Sequence, residues 1–182
     1  DAGAGDDYVY GYFDQKVLLG DGDDQFEGAF RYLDAGSGDD TIGARVYGYA
    51  GWQSSANRIE FLDGGAGYDI LDIYSTWGST DYGSSSLEDV IINFEEIRIP
   101  SDGISGEGWT LGSQAASSGE TLVINAEYSD PYSTKFAYVG AANITYKGSD
   151  RELYGNDTVV LGSGDDTVTL NEGNDVITAG AG

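Results

Sequence analysis

The chain has 182 residues, with 32 acidic side chains against 8 basic ones, 29 glycines and a formal net charge of −24. This charge excludes nucleic acid as a partner and argues against membrane insertion, because nucleic acids and anionic membranes both demand a basic surface. Cysteine, methionine and histidine are absent, which excludes disulfides, thiol chemistry, imidazole metal ligands and Ser–His or Cys–His nucleophile pairs. Cations are the favoured partners, and no enzymatic activity is expected.

Gly/Asp-rich segments of similar pattern begin the chain. They are residues 2–9 (AGAGDDYV), 19–26 (LGDGDDQF), 35–42 (AGSGDDTI) and 64–71 (GGAGYDIL). Aligned, they give a nine-residue unit with Gly at the second and fourth positions, Asp at the sixth and an apolar residue at the eighth. The sixth-position residues are Asp7, Asp24, Asp40 and Asp69.

Residues 73–151 lack this unit but keep apolar runs that are typical of short strands, at residues 88–99, 121–125, 136–139 and 143–146. Ser- and Gly-rich stretches between these runs predict loops. Such strands could continue a solenoid with metal-free corners or form a small sandwich. The continued solenoid is the preferred prediction.

The unit returns near the end of the chain, in residues 155–159 (GNDTV), 161–168 (LGSGDDTV) and 173–177 (GNDVI). Here the sixth-position residues Asp157, Asp166 and Asp175 are nine residues apart. The eighth-position residues of all copies are expected to point inward and form a narrow core, as strand alternation requires. They are Val9, Phe26, Ile42, Leu71, Val159, Val168 and Ile177.

These copies resemble the RTX (repeats-in-toxin) calcium-binding nonapeptide family, G-G-x-G-x-D-x-U-x, over residues 1–72 and 152–182. The resemblance implies an all-β fold, a parallel β-roll or β-solenoid with calcium-binding turns. In that family a coil consists of two nonapeptides, and each ion lies between two loops stacked one coil apart. The implied ligands are Asp7, Asp24, Asp40, Asp69, Asp157, Asp166 and Asp175, backbone carbonyls around Gly3, Gly5, Gly20, Gly22, Gly36, Gly38, Gly65, Gly67, Gly162 and Gly164, and candidate extra carboxylates Asp21 and Asp23.

Calcium suits this pattern on chemical grounds as well. Glycines allow the positive φ angles that turn backbone carbonyls inward, and the Asp adds a carboxylate. Ca²⁺ takes six to eight oxygen ligands in flexible geometry, whereas zinc and copper lack their preferred ligands in this chain. A metal-free alternative is an Asx-turn, in which the Asp caps a Gly-rich loop. That alternative is favoured for an isolated loop, and calcium is favoured for a stacked set.

Spacing predicts where the loops lie within one continuous module of residues 1–182. Asp7, Asp24 and Asp40 are 17 and 16 residues apart, about one coil, which predicts a one-sided calcium ladder over residues 1–72. Residues 73–151 are then an irregular solenoid section without the motif. In residues 152–182 the strict spacing of nine predicts a regular roll, with Asp157 and Asp175 at one edge and Asp166 at the other.

The expected function is that of a calcium-dependent structural module, folding after export, in a secreted bacterial cell-surface protein. The passage from residues 67–71 through Asn93-Phe94-Glu95-Glu96-Ile97 looks like a layout of surface-layer proteins and large RTX adhesins. The chain lacks an initiator Met, so it is expected to be part of a longer protein, and its open ends predict contacts with copies of itself.

Two alternatives stay open. One is a non-catalytic accessory or secretion domain of a secreted enzyme. The other is an adhesion module that binds cell-surface polysaccharide through aromatic residues such as Tyr8, Tyr10, Tyr12, Trp52 and Trp77, although ordinary packing is favoured for these side chains. The pair Glu95 and Glu96 is interpreted as metal-binding or solvated and not as a glycosidase acid and base, because acidic pairs recur throughout the chain.

Overall fold

A computed structural model describes residues 1–46, 59–75, 90–99, 109–117, 119–126, 135–148, 156–170 and 172–182. The regular elements among the described residues are all β-strands, and every strand pair within them is parallel. The predicted fold class, an all-β parallel β-roll or β-solenoid, is therefore confirmed. None of the described residues belongs to a helix long and apolar enough to span a membrane.

The strands follow one another around successive coils of the chain. They are β1 (Gly3–Ala4), β2 (Tyr8–Asp21), β3 (Gln25–Ser37), β4 (Thr41–Val46), β5 (Phe61–Asp63), β6 (Ile70–Ser75), β7 (Ile91–Ile92), β8 (Glu96–Arg98), β9 (Trp109–Gly112), β10 (Thr121–Asn125), β11 (Lys135–Val139), β12 (Asn143–Lys147), β13 (Thr158–Val160), β14 (Thr167–Thr169) and β15 (Val176–Thr178).

The larger sheet has the order β1-β2-β3-β4-β6-β8-β10-β12-β14, with β5 paired to β3 and β7. Its register places one apolar residue of each coil directly beside that of the next. Phe26 lies beside Val9 and Ile42, and Ile97 lies beside Leu71 and Ile124. The same line continues through Tyr146 to Val168. The middle strands β8, β10 and β12 therefore continue the stack that the nonapeptides begin.

The smaller sheet has the order β15-β13-β11-β9. Phe136 of β11 lies beside Val159 of β13, which lies beside Ile177 of β15. Phe136 and Val159 are buried, but Ile177 is 51% exposed. The prediction that every eighth-position residue forms core is therefore wrong at Ile177. The physical reason is that β15 is the last strand of this sheet among the described residues, so no further strand covers it.

The predicted strand at residues 88–99 is also wrong in extent. In the structure it is interrupted between β7 and β8, and Asn93 takes a φ of 56°. This left-handed conformation turns the chain, so that β7 pairs with β5 while β8 pairs with β6 and β10. The apolar residues on either side of the turn, Ile91, Phe94 and Ile97, remain buried.

Candidate metal centre

Four sixth-position aspartates stack in one line, which we call the aspartate column: Asp7, Asp24, Asp40 and Asp69. Oδ1 of Asp24 accepts a hydrogen bond from the backbone N–H of Asp7 at 2.8 Å. The same bond joins Asp40 Oδ1 to the N–H of Asp24 at 2.8 Å, and Asp69 Oδ1 to the N–H of Asp40 at 2.9 Å. Asp24, Asp40 and Asp69 each therefore bind the loop of the preceding coil through one carboxylate oxygen.

The second carboxylate oxygen in this column has no protein partner. Asp24, Asp40 and Asp69 are at most 1% exposed, and Oδ2 of each is buried without a hydrogen bond. A buried carboxylate oxygen without a partner is costly, and a cation or a proton can remove that cost. Burial raises the pKa of Asp40 to about 6 and that of Asp69 to about 7, although a backbone N–H donor to each carboxylate opposes the rise.

Glycines allow the loops beside this column to approach one another closely. Gly67 has a φ of 144°, and a Cβ added to it would lie 1.9 Å from the carbonyl oxygen of Gly38. A Cβ on Gly20 would likewise lie 1.9 Å from the carbonyl oxygen of Gly3. No side chain fits at that distance, so backbone oxygens of one coil lie directly against the next. Carboxylate and carbonyl oxygens are therefore the metal-ligating atoms that this edge provides.

A second row, formed by the fifth-position aspartates, lies on the exposed side of the column. Its hydrogen bonds run in the opposite direction, because here the carboxylate of the earlier coil accepts the N–H of the later coil. Asp6 Oδ1 accepts from the N–H of Asp23 at 3.0 Å, and Asp23 Oδ1 accepts from the N–H of Asp39 at 2.9 Å. Asp21 Oδ1 accepts from the hydroxyl of Ser37 at 2.8 Å. The structure thus engages one oxygen each of Asp21 and Asp23, the candidate extra carboxylates, in contacts between coils.

The edge of these coils that lies opposite the aspartate column contains ion pairs. Lys16 Nζ lies 3.1 Å from Asp34 Oδ2. Arg31 pairs with Glu60, which also accepts a hydrogen bond from the hydroxyl of Tyr32. Among the residues that the structure describes, no group of three or more acidic side chains converges on one point. A site in the aspartate column would thus take its remaining ligands from the backbone or from water.

The column continues past Asp69 to a residue outside the predicted ligand set. Glu95 Oε2 accepts the N–H of Asp69 at 2.7 Å, so it takes the place that the next sixth-position aspartate would have. Leu122 and Ile144 follow in the same line, because Val123 lies beside Glu96 and Leu122 beside Ile144. The Gly-x-Gly-x-Asp pattern does not include Glu95, because its loop has no glycine. The sequence feature that could have indicated Glu95 is Asn93, two residues before it, because Asn tolerates a positive φ.

The C-terminal aspartates divide between the two sheets. Asp166 Oδ1 accepts the N–H of Ile144 at 2.9 Å, which places Asp166 in line with the aspartate column beyond Ile144. Asp175 Oδ1 accepts the N–H of Asp157 at 2.9 Å, beside β13 and β15 of the smaller sheet. A corresponding fifth-position contact is made here by asparagines, since the N–H of Asn174 donates to Asn156 Oδ1 at 2.7 Å, while beside Asp166 the N–H of Asp165 donates to Asn143 Oδ1 at 2.9 Å. An open pocket beside Asp166 is lined by Gly164, Asp165, Asp166, Thr167, Ala179, Gly180 and Gly182.

Comparison with known protein families finds a match at the C-terminal end of the chain. Residues 153–182 match the family model described as RTX calcium-binding nonapeptide repeat (4 copies). No curated protein and no solved structure matches the chain. The matched segment includes Asp157, Asp166 and Asp175, and RTX repeats bind calcium and are typical of secreted bacterial proteins. The resemblance to the RTX calcium-binding nonapeptide family is therefore confirmed over residues 153–182, and residues 1–72 lie outside the match.

Proposed function

We propose that this chain is a calcium-dependent structural module of a secreted bacterial cell-surface protein, and that it has no catalytic activity. The observation that carries the proposal is the buried Oδ2 of Asp24, Asp40 and Asp69, none of which has a hydrogen-bond partner. In a column of this kind, an ion between successive coils supplies the missing partner. The RTX match at residues 153–182 supports calcium as that ion.

The ions would lie between successive loops of the aspartate column. Each space between two loops has a carboxylate from either coil, in the pairs Asp7 with Asp24, Asp24 with Asp40, and Asp40 with Asp69. Carbonyls around Gly3, Gly20 and the later loop glycines would add neutral oxygens. Two carboxylates with several carbonyls match the hard, oxygen-rich environment that Ca²⁺ prefers. At the other end, Asp157 with Asp175 is the corresponding pair.

Calcium binding would be coupled to folding, because the paired oxygens exist only in the stacked coils. Ions that bind the folded chain alone stabilise it by about 1.4 kcal/mol per site for each tenfold excess of free calcium over Kd. They also reduce the mutual repulsion within a chain of net charge −24. Extracellular calcium modules bind with Kd of order 10⁻⁴ to 10⁻³ M, so the chain would stay unfolded before export and fold outside the cell.

A rigid, calcium-dependent stack suits a scaffold such as a surface layer or an adhesin. The sheet strands add coil upon coil along one direction, so the module can hold distant parts of a surface protein apart. Contacts between copies, end to end, are part of this proposal. An accessory or secretion domain of a secreted enzyme is the alternative with the same calcium chemistry.

Circular dichroism during a calcium titration tests the proposal, with magnesium as the matched control. We expect β-structure to appear cooperatively as calcium is added to the chelated chain, and magnesium at the same concentration to have little effect. Mg²⁺ demands near-ideal octahedral geometry and dehydrates reluctantly, which a loop of carbonyls does not satisfy. Equal β content in chelator and in saturating calcium would contradict the proposal.

One exposed feature favours carbohydrate binding as a second candidate. Tyr8, Tyr10 and Tyr12 alternate along β2 and are 63%, 56% and 58% exposed. A row of aromatic rings on one sheet face is a surface on which sugar rings can stack. Glycan-array binding in saturating calcium that is lost in Tyr10→Ala would support this candidate, and an array without signal would count against it. Trp52 and Trp77, the other predicted sugar-binding residues, lie outside the described residues.

A further inference from the structure

The turn between β7 and β8 reproduces a nonapeptide loop without its sequence. Glu96 lies beside Ile70, so Glu95 is level with Asp69 and Asn93 is level with Gly67. Asn93 has a positive φ of 56°, and its counterpart Gly67 also has a positive φ, of 144°. The acidic residue and the residue with a positive φ therefore recur one coil later, in the sequence Asn93-Phe94-Glu95, which the RTX pattern does not include.

Backbone contacts between Asp69 and Glu95 match those within the aspartate column. The N–H of Asp69 donates to Glu95 Oε2 at 2.7 Å, just as the N–H of Asp40 donates to Asp69 Oδ1 at 2.9 Å. In return the N–H groups of Glu95 and Glu96 donate to the carbonyl oxygen of Asp69, at 3.2 and 3.1 Å. The two loops are thus stacked as one coil upon the next, and the Glu95 carboxylate lies against the Asp69 backbone.

Asp63 fixes the position of the new loop. Its Oδ1 accepts hydrogen bonds from the N–H of Gly65 at 3.1 Å and from Nδ2 of Asn93 at 2.8 Å. One carboxylate thereby ties the last nonapeptide loop to the turn that carries Glu95. The contact involves a side chain from each coil, Asp63 and Asn93, together with the backbone N–H of Gly65.

The buried, unpartnered oxygen of Asp69 gives independent evidence of a ligand here. Asp69 is 0% exposed, and its Oδ2 has no hydrogen bond. This oxygen lies 3.0 Å from the point that a Cβ on Gly64 would occupy, and the carbonyl oxygen of Asn93 lies 2.1 Å from the same point. The unpartnered Oδ2 of Asp69 and the carbonyl oxygen of Asn93 in the next coil therefore lie within about 5 Å of each other, where the two coils meet.

We propose that a calcium ion binds between Asp69 and Glu95, one coil beyond the last nonapeptide of the N-terminal set. Oδ2 of Asp69, the Glu95 carboxylate and the carbonyl of Asn93 are its protein ligands. This site rests on the proposed calcium function and extends it to a loop without glycine. The column of ions ends there, since Leu122 and Ile144 occupy the next two places and are buried apolar side chains.

The test counts calcium ions bound per chain, by equilibrium dialysis and metal analysis, in wild type and in Glu95→Gln. Glutamine keeps an oxygen that accepts the N–H of Asp69 but removes the charge. Glu96→Gln is the matched control, because Glu96 is the adjacent acid and instead pairs with Nε of Arg98 at 2.8 Å. We expect Glu95→Gln to bind one ion fewer than wild type and Glu96→Gln to bind as many as wild type.

The outcomes separate the two proposals. If wild type and Glu95→Gln bind the same number of ions with the same affinity, the Glu95 site is overturned while calcium binding stands. If wild type binds no calcium, the proposed function fails, and the Glu95 site with it. Should Glu95→Gln not fold, anomalous scattering from wild-type crystals grown with calcium decides. A peak between Asp69 and Glu95 supports the site, and peaks elsewhere in the column without one there overturn it.

Discussion

Asp40 donates its backbone N–H to Oδ1 of Asp69 at 2.9 Å, although 29 residues of chain separate the two. Asp24 and Asp40 make the same contact across 16 residues. The hydrogen bond between successive coils is thus the same whether 16 or 29 residues separate the two aspartates. In each case one carboxylate oxygen joins two coils and leaves the other, Oδ2, buried without a partner.

Asp40→Asn tests the role of that second oxygen. Asparagine can still accept the N–H of Asp24 but carries no charge, so the cost of a buried carboxylate disappears and the affinity for an ion falls. At limiting calcium we expect the variant to be at least as stable as wild type. In calcium we expect a smaller rise in Tm than wild type shows, because each lost site removes about 1.4 kcal/mol per tenfold excess of calcium.

Thermal unfolding at limiting and at saturating calcium provides this measurement, with Asp39→Asn as the control. Asp39 is the exposed neighbour, and its Oδ1 accepts the N–H of Tyr68 at 2.7 Å. We expect its calcium-induced rise in Tm to stay close to that of wild type. An unchanged calcium response in Asp40→Asn would argue that the Asp40 carboxylate holds no ion.

The pH dependence of stability should change sign with calcium. Burial raises the pKa of Asp40 to about 6 and of Asp69 to about 7 in the folded chain, from a value of 3.8. A group with a raised folded pKa contributes stability that is fully present below its unfolded pKa and is lost as pH rises through the folded pKa. In chelator the folded chain should therefore lose stability between about pH 4 and pH 7.

With calcium present the carboxylates must be ionised to bind, so affinity should rise over the same pH range. Far-UV circular dichroism at pH 5 and pH 8, in chelator and in saturating calcium, compares the folded fraction in the two cases. The double variant Asp40→Asn with Asp69→Asn should flatten the pH dependence in chelator. Greater stability at pH 8 than at pH 5 in chelator would contradict the assignment.

Much of this arrangement could be predicted from the sequence, because its cause is local. Each Gly-x-Gly-Asp-Asp loop specifies its own backbone conformation, and intervals of 16 and 17 residues bring successive loops into one line. Glu95 could not be found in this way, since its loop reaches the same conformation through Asn93 and lies 26 residues after Asp69. The exposure of Ile177 likewise depends on whether a further strand covers β15, which its own sequence does not encode.

Gly5 and Gly22 both have a positive φ, but only Gly22 lies close to a neighbouring coil. Alanine variants of the two therefore separate the cost of a positive φ from the cost of crowding between coils. Gly5 has a φ of 108° and Gly22 a φ of 135°. A Cβ on Gly5 would meet nothing within 4 Å, whereas one on Gly22 would lie 2.6 Å from the carbonyl of Gly5. Gly5→Ala should cost about 1–2 kcal/mol from its positive φ alone. Gly22→Ala should cost about 1–3 kcal/mol more, because the coils must move apart.

Calcium affinity distinguishes the two alanine variants further. Separating the coils at Gly22 also separates the oxygens around Asp7 and Asp24, so Gly22→Ala should weaken calcium binding, while Gly5→Ala should leave it close to wild type. Isothermal titration with calcium and urea unfolding at saturating calcium give both quantities. Equal losses of stability in the two variants would show that close approach of the coils at Gly22 contributes nothing measurable.

Asn93 gives the last prediction, because it contributes both a conformation and a hydrogen bond. Its φ is 56°, and its Nδ2 donates to Asp63 Oδ1 at 2.8 Å. Asn93→Gly keeps the conformation and loses the bond, at a cost of about 1 kcal/mol. Asn93→Ala loses both and should cost about 1–2 kcal/mol more than glycine does. Urea unfolding at one fixed, saturating calcium concentration measures these costs, because the chelated chain is expected to be unfolded. If alanine were tolerated as well as glycine, the turn before Glu95 would not depend on a left-handed residue, and its likeness to a nonapeptide loop would be superficial.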